Sequence, residues 1–325
     1  MIIITPATRV PQELLDEAVP LDFALPTADE IQDVLDALLQ TQGLRVDLTQ
    51  AGKVRLVHAA LGLTRSQCQR VFSKAIVGDG VLDDRDIDLV TQEKKQVIRE
   101  SEALEFYSAT ETPDNVGGLG QLKHWLNLRE RAFSPEARAY GLPAPKGVAL
   151  IGIPGTGKSL TAKMIASAWH QPLLRMDVGA LFGSLVGESE ERVRTALRLA
   201  EGIAPCVLWI DELDKSFAQG GNDGGTSQRV FGTILTWMQD KSAPVFVVAT
   251  ANDVAALPPE LLRRGRFDEI FFLDLPTTEE RHEILSVHLA KRRRLPEEFE
   301  LTKLAHESEA SLCKGQSRGI CPRAH

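Results

Sequence analysis

The chain has few of the features that mark disulfide-linked, secreted or membrane-spanning proteins. Its four cysteines, Cys68, Cys206, Cys313 and Cys321, form no CxxC pair, which is typical of unpaired thiols in a reducing compartment. No run approaches the roughly 20 apolar residues of a membrane span, so no membrane partner is predicted. The N-terminal Met1–Pro6 lacks the basic region and the long apolar region of a secretory signal.

The charge balance argues against some partners. The formal net charge is −8, with an isoelectric point near 5.5. Such a chain is not a general polyanion binder, although a local basic patch could still contact nucleic acid. The 325 residues are 43% hydrophobic, which is enough to bury a sizeable core in about two domains of roughly 150 residues each.

Three parts of the chain differ in pattern. Residues 1–110 are mostly helical in pattern after a short apolar strand at Ile2–Ile4. Residues 111–276 alternate strand and helix patterns, and residues 277–325 start as a helix and then lose their periodicity. Proline and paired glycines make 111–119 the predicted linker between the first two parts.

The middle part indicates a parallel sheet covered by helices on both faces. Its predicted strands are Val148–Ile153, Leu173–Met176, Val207–Ile210, Val245–Ala249 and Ile270–Leu273. Its predicted helices are Ser159–Trp169, Ser189–Gly202 and Thr226–Gln239. Short continuous apolar strands separated by helices are typical of an α/β fold built from βαβ units.

A phosphate-binding loop (P-loop) follows the first of these strands. The segment 152–159, GIPGTGKS, fits G-x-x-x-x-G-K-[ST] between a strand and a helix. Its glycines let backbone N–H groups surround phosphate oxygens, and the helix directs its positive end at the same anion. We therefore expect ATP to be bound by Gly152, Pro154, Gly155, Thr156, Gly157, Lys158, Ser159 and Leu160.

Two acidic residues end a later strand and complete the predicted Mg²⁺-ATP site. Asp211 and Glu212 follow the apolar run Val207–Ile210, at the sheet edge where α/β folds bind ligands. Ser159 and Asp211 are the predicted Mg²⁺ ligands, since adjacent carboxylates beside a phosphate require a cation. Lys158 would contact the β- and γ-phosphates, and Glu212 would activate or orient the attacking water.

An internal repeat links the N-terminal part to the end of the middle part. Residues 10–15, VPQELL, resemble 257–262, LPPELL, and Leu25–Thr27 matches Leu275–Thr277 before a helix in both copies. This repeat predicts that residues 1 to about 105 are the back half of a second, degenerate module. The front half of that module, with its own P-loop, would then be absent from this chain.

These motifs, in this order, resemble the AAA ATPases over roughly residues 113–305. The amino-acid sequences of several segments resemble those of a divergent subgroup of AAA proteins from cyanobacteria and algal plastids. Members of this subgroup have a degenerate AAA module before an active one. The resemblance implies a P-loop AAA core preceded by a mostly helical remnant. It also implies a location in the cytoplasm, or in the plastid stroma for a plastid-encoded chain.

The resemblance assigns further residues to the nucleotide site. The segment 114–119, DNVGGL, is similar to the family's linker near the adenine, which gives roles to Asn115 and Gly117. Asn252 stands at the sensor position, where it would contact the γ-phosphate or the water. Arg263 and Arg266 match the arginine fingers, which act on the nucleotide of a neighbouring subunit and can accelerate phosphoryl transfer roughly 10³–10⁵-fold.

The segment 177–190 resembles the first pore loop of the family, but with one difference. Members that thread a polypeptide carry an aromatic residue where this chain has Leu185, and Phe182 lies three residues earlier. Leucine offers a smaller contact surface to an extended chain than an aromatic ring does. The segment could therefore act as a pore loop or as a packed connection between a strand and a helix.

The C-terminal end also departs from the family. Thr278–Arg292 is predicted as a first lid helix and Phe299–Glu309 as the start of a second, whereas residues 310–325 have no helical period. The lid's second sensor arginine has no counterpart. We expect a frameshift or truncated reading frame near residue 309, with weakened hydrolysis as its consequence.

The leading functional prediction is an oligomeric ring ATPase, a hexamer by resemblance, that remodels or regulates an unidentified protein client. A slow-hydrolysing regulatory switch is the first alternative, favoured by Leu185 and the incomplete lid. A DNA-directed AAA protein is the second, disfavoured by the acidic charge. A kinase that shares the P-loop is a weaker option, because Arg263 and Arg266 imply a partner acting in trans.

Overall fold

The computed structural model describes residues 25–40, 45–100, 104–107, 111–133, 137, 139–178, 188–215, 226–261, 263 and 265–316. Several predictions concern residues outside this set: the strand Ile2–Ile4, the first anchor of the repeat at 10–15, and the side chains of Phe182 and Leu185. No helix in the described part of the chain is both long and apolar enough to cross a membrane.

The N-terminal part is a small bundle of helices. Its elements are α1 (Ala28–Leu39), β1 (Arg45–Val46), α2 (Gln50–Ala60), α3 (Arg65–Asp79), β2 (Val81–Leu82) and α4 (Asp86–Glu100). The two short strands pair in parallel. The helices bury a core of their own, which includes Ile31, Leu35, Leu56, Phe72 and Val90. This apolar core is what holds the helices together, because packing rather than propensity supplies most helix stability in proteins.

The second anchor of the predicted repeat has the same local structure in both copies. Thr27 caps α1, and its hydroxyl and Glu30 form a reciprocal capping box. Thr277 and Glu280 form the same arrangement at the start of α9 (Thr278–Lys291). A threonine cap with glutamate three residues later satisfies the free N–H groups at a helix start. Both copies therefore begin a helix in the same way.

The middle part is an α/β sandwich, as the apolar runs predicted. In chain order its elements are β3 (Leu104–Tyr107), α5 (Gly120–Glu130), β4 (Gly147–Ile151), α6 (Lys158–Ala168), β5 (Leu173–Asp177), α7 (Glu188–Ile203), β6 (Cys206–Asp211), α8 (Thr226–Asp240), β7 (Val245–Ala251) and β8 (Glu269–Phe272). Short 3-10 turns lie at Pro113–Asn115 and Arg131–Phe133. The predicted α/β fold class is confirmed.

The six strands lie in the order β3-β5-β6-β7-β4-β8. All neighbouring pairs are parallel except β3 with β5, which is antiparallel. The five strands predicted from the apolar runs are parallel to one another, as predicted, and the antiparallel edge is formed by β3, a strand that was not predicted. An antiparallel edge is possible because β3 comes from residues that precede the predicted linker, and a strand that enters from outside the βαβ units can pair in either direction.

Two apolar layers cover the sheet, and one of them reaches into the N-terminal part. The layer on one face contains Ile98 of α4 together with Ile203 of α7 and Cys206 of β6. The layer on the other face lies under α5 and α6 and includes Trp169 and Phe246, whose rings stand edge to face at 4.6 Å. The N-terminal bundle is thus joined to the sheet through α4 and β3.

The chain ends in two helices, α9 and α10 (Leu301–Gln316), with a 3-10 turn at Pro296–Glu298 between them. Arg281 of α9 ties them together, since its Nε donates to the carbonyl oxygen of Ala305 at 2.8 Å. The helical period was predicted to fail after residue 309, and this was wrong as far as Gln316. A helix in progress can continue through residues of weak amphipathic pattern, because each added residue gains a backbone hydrogen bond.

Candidate functional site

The predicted P-loop forms an open turn between a buried strand and a helix. Every residue of β4 is buried, and α6 begins at Lys158 with Gly157 as its N-cap. Gly155 and Gly157 have φ angles of 91° and 90°, which favour glycine. A Cβ atom at either position would meet no atom within 4 Å. The loop therefore faces free space, as a phosphate cradle must.

Lys158 is the buried cation of this loop. It is 8% exposed, and its Nζ donates to the carbonyl oxygens of Gly152 and Ile153, the latter at 2.8 Å. Burial lowers the pKa of Lys158 below its usual value, and the nearby carboxylates, of which Asp214 contributes most, offset only part of that effect. An anion bound in the loop would restore a full counter-charge to this ammonium.

The remaining P-loop residues lie around the same turn. The Thr156 hydroxyl donates to the Ile153 carbonyl at 2.9 Å, so this side chain closes the turn. Pro154 and Ser159 are exposed, and Leu160 packs against the apolar layer below the loop. Ser159 therefore offers its hydroxyl at the first turn of α6, where a bound cation could use it.

The two predicted acids lie at the carboxyl end of β6 and share one hydroxyl partner. Thr250 of β7 donates from Oγ1 to Asp211 Oδ1 at 2.7 Å. Thr250 Oγ1 also accepts from the backbone N–H of Glu212 at 3.1 Å. Thr250 is 1% exposed, so its hydroxyl is fixed between the two acids. This contact orients the Asp211 carboxylate and fixes the backbone at Glu212.

Glu212 adopts a backbone conformation that is uncommon for its residue type. Its φ angle is 51°, and non-glycine residues in this region occur most often in turns and strained sites. Its carboxylate forms an ion pair with Lys215 at 2.6 Å, and both side chains are about half exposed. Such a surface pair contributes little stability, so Glu212 can exchange this partner for a water molecule.

Asn252 lies at the same edge of the sheet. It follows β7 directly and is partly buried. Because β7 lies between β4 and β6, the residue after β7 is placed between the P-loop and the acid pair. The structure thus brings Lys158, Ser159, Asp211, Glu212 and Asn252 to one edge of the sheet.

The donor set at this edge fits Mg²⁺. Ser159 supplies a hydroxyl and Asp211 a carboxylate, the oxygen ligands that Mg²⁺ takes from proteins while it keeps waters and substrate phosphates for its other positions. Asp214, three residues after Asp211, is buried, and its Oδ1 has no hydrogen-bond partner among the described residues. The negative charge gathered here is what a divalent cation beside a phosphate requires.

Arg263 and Arg266 lie at the opposite end of the sheet from the P-loop. They precede β8 in the chain. Asp268, the residue directly before β8, accepts a hydrogen bond at 3.0 Å from the backbone N–H of Gly147, which is the first residue of β4. The P-loop follows the last residue of β4, and a five-residue strand spans about 15 Å. These two arginines therefore lie far from the P-loop of their own chain.

Comparison with known proteins identifies the family. Residues 148–275 match the model of the ATPase family associated with various cellular activities, AAA. The protein has an AAA ATPase domain. Residues 29–101 match a second model, the second domain of SpoVK-like AAA ATPases. The helical part before the AAA domain is therefore similar to a domain of AAA ATPases, whereas its origin as the back half of a degenerate module stays a prediction.

Curated relatives come from algae and from more distant sources. The chain is 47% identical to the AAA domain-containing protein ycf46 of Trieres chinensis, over 95% of this chain and 63% of that protein. It is 48% identical to the ycf46 protein of Guillardia theta, over 90% of this chain and 58% of that protein. It is 27% identical to the peroxisomal ATPase PEX6 of Neurospora crassa, over 94% of this chain and 25% of that protein. The chain thus spans about three fifths of the length of its algal relatives.

The linker to the AAA domain packs against α9, the predicted first lid helix. A Cβ atom on Gly117 would lie 2.6 Å from the backbone nitrogen of Ile284, so only glycine permits this approach. The next residue, Gly118, donates its N–H to Glu283 Oε2 at 2.8 Å. Asn115, in the turn before them, is partly buried. Asn115 and Gly117 therefore lie where the linker meets α9, and their contact with the adenine stays a prediction.

Sequence reasoning missed one charged residue at the AAA site. Arg175 of β5 donates from Nη2 to Asp211 Oδ2 at 3.0 Å. The signal was present in the sequence, since an arginine interrupts the apolar run of a central strand. Charged side chains that are largely removed from water are normally paired. Its partner could not be read from the sequence, because strand order and register decide which acid lies opposite.

Proposed function

We propose that the protein binds Mg²⁺-ATP and hydrolyses it as an oligomeric ring, a hexamer by family resemblance, that remodels or regulates a protein partner. The observation that carries this proposal is the convergence of the P-loop, the acid pair and Asn252 at one sheet edge. The AAA domain match supports nucleotide binding, and the name of PEX6 as an ATPase is consistent with hydrolysis in the wider family.

The residues of this edge divide the chemistry among them. The loop N–H groups and Lys158 hold the phosphates, Glu212 takes a proton from the attacking water or orients it, and Asn252 contacts the γ-phosphate or that water. Mg²⁺ held by Ser159 and Asp211 would neutralise the charge that develops on the phosphate oxygens. Thr250 holds the Asp211 carboxylate and the backbone of Glu212 in place.

The ring is proposed because the two predicted arginine fingers lie too far from the P-loop of their own chain to reach a nucleotide bound there. Arg263 and Arg266 are about 15 Å or more from their own P-loop, by the length of β4. In a ring they would reach the nucleotide of the next subunit and stabilise the transferring phosphoryl group. Hydrolysis should then depend on assembly.

The second candidate is a slow-hydrolysing switch, and the Glu212–Lys215 ion pair favours it. In that function, binding of ATP rather than turnover would change the protein's assembly. The location that accompanies either function is the plastid stroma for a plastid-encoded chain, which the algal relatives support, and the cytoplasm otherwise.

The deciding experiment measures the ATPase rate per subunit against protein concentration, with mass determined in parallel. A ring ATPase should show a rate that rises as subunits assemble, and Lys158→Ala should abolish ATP binding. A constant rate combined with a monomeric mass would contradict the shared site. Tight ATP binding and assembly with negligible turnover at every concentration would instead favour the switch.

A further inference from the structure

Arg175 joins the proposed Mg²⁺ ligand to the edge of the sheet. Its Nη2 donates to Asp211 Oδ2 at 3.0 Å, and its Nη1 donates to Glu105 Oε2 at 3.3 Å. Its side chain is 24% exposed and that of Asp211 is 13% exposed, so water screens this pair only in part. One guanidinium is therefore shared between a site carboxylate and a carboxylate outside the site.

The position of Arg175 is fixed from both sides by strand register. Glu105 of β3 and Trp209 of β6 are its direct cross-strand partners, and such partners point to the same face of the sheet. The guanidinium lies over the Trp209 ring, with Cζ 5.2 Å from the ring centroid. Its Nε has no hydrogen-bond partner in the described part of the chain. The two terminal nitrogens therefore carry its polar contacts.

Asp211 has one oxygen for each of two partners. Thr250 donates to Oδ1 at 2.7 Å, whereas Arg175 donates to Oδ2. Loss of Arg175 would leave the carboxylate still oriented by Thr250. The positive charge of Arg175 is thus not needed to hold Asp211, but it occupies the oxygen and repels a cation there.

We infer that Arg175 sets the Mg²⁺ affinity of the nucleotide site by competing with the cation for Asp211, and that Glu105 weakens this competition by sharing the Arg175 charge. This inference rests on the proposed function. Arg175 acts here as a positioning residue through Asp211 and does not contact the nucleotide.

Glu105 belongs to β3, which follows α4 of the N-terminal bundle in sequence and contacts that helix. The N-terminal part of the chain thereby places a carboxylate beside the residue that contacts the proposed Mg²⁺ ligand.

Mg²⁺ titrations of the full chain, with fluorescent N-methylanthraniloyl-ADP as the probe, test the inference without turnover. Arg175→Met keeps an unbranched chain over Trp209 and should lower the half-saturating Mg²⁺ concentration about five- to tenfold, which corresponds to roughly 1–1.4 kcal/mol. Glu105→Gln leaves Asp211 as the carboxylate that pairs with Arg175, and it should raise the half-saturating Mg²⁺ concentration about two- to threefold. Arg175→Lys keeps the charge and should stay within about twofold of wild type.

The decisive result is that the half-saturating Mg²⁺ concentration falls in Arg175→Met and rises in Glu105→Gln. A general loss of packing would change this concentration in the same direction in both variants. The inference would be overturned if the half-saturating Mg²⁺ concentration moved in the same direction in both variants, or by less than twofold in both. The proposed function would still stand in that case, provided that the wild type binds the nucleotide probe. Absence of Mg²⁺-dependent probe binding by the wild type would overturn both. Glu105 has a side chain 57% exposed, so the rise predicted for its variant decides the matter even if Arg175→Met does not fold.

Discussion

The hydroxyl of Thr250 donates to Asp211 Oδ1 at 2.7 Å across two neighbouring strands of the sheet. It is also the acceptor for the backbone N–H of Glu212. A single buried hydroxyl thus holds the carboxylate of the proposed metal ligand and the backbone of the proposed general base. Neither residue is held in this way by its own strand, so their placement depends on the pairing of β6 with β7.

Thr250→Val should lower kcat about ten- to a hundredfold with little effect on nucleotide affinity. Valine has the same shape but removes a hydrogen bond to the Asp211 carboxylate, worth about 1.5–3 kcal/mol, and leaves the backbone N–H of Glu212 without its acceptor. Steady-state ATPase kinetics measure the effect. Thr91→Val is the matched control, because Thr91 in α4 donates only to the Ile87 carbonyl. An unchanged kcat in Thr250→Val would show that its hydroxyl does not organise the site.

Glu212→Gln should retain ATP and reduce turnover about a hundredfold or more, the usual contribution of a positioned general base. Lys215→Ala should act in the other direction and raise turnover up to about fivefold, because the Glu212–Lys215 pair is exposed and worth roughly 0.2–1 kcal/mol. Binding of a fluorescent ATP analogue and phosphate release measure the two properties separately. Normal hydrolysis by Glu212→Gln would remove this carboxylate from the mechanism.

Mixing two inactive variants tests whether Arg266 acts on a neighbour. Arg266→Ala keeps its P-loop and Lys158→Ala keeps its arginine, so mixed rings contain some interfaces with both parts intact. We expect each variant alone to have less than about a tenth of wild-type activity and the mixture to recover a measurable fraction. Co-purification of differently tagged variants serves as the control for assembly. Mixed rings that form and still lack activity would count against a shared site.

Lys94→Met should stabilise the fold at neutral pH. Lys94 of α4 is 3% exposed, and burial lowers the pKa of its ammonium from 10.5 to about 8. Below pH 8 the lysine is charged in both states and its burial cost is fully present. Between pH 8 and 10.5 the unfolded chain binds more protons, so the wild-type free energy of unfolding rises with pH.

The methionine variant lacks this titration. Urea unfolding at pH 7 should therefore show it more stable than wild type by about 1–2 kcal/mol, and the difference should shrink by pH 10. Lys53→Met, at a partly exposed position of α2, serves as the control and should change stability by less than about 0.5 kcal/mol. A variant less stable than wild type at pH 7 would show that the ammonium has a favourable role in the bundle.

The elements that the sequence alone determined are those with a local physical cause. The P-loop, the strand that precedes it and the helix that follows could be predicted because glycine spacing and apolar continuity act within a few residues of each other. The acid pair was found for the same reason, since two charged residues that directly follow an apolar run indicate the end of a buried strand. The threonine caps of α1 and α9 likewise follow from side chains three residues apart.

Only the tertiary structure decided which residues meet across strands. The antiparallel placement of β3 brings Glu105 to Arg175, and the order of β5, β6 and β7 brings Arg175 and Thr250 to opposite oxygens of Asp211. These neighbours are 36 and 39 residues from Asp211 along the chain, and no local pattern encodes such contacts. Strand order also placed Arg263 and Arg266 away from their own P-loop, because the length of β4 separates its two ends. Register and topology arise from the burial of the whole sheet, which is a property of all its strands at once.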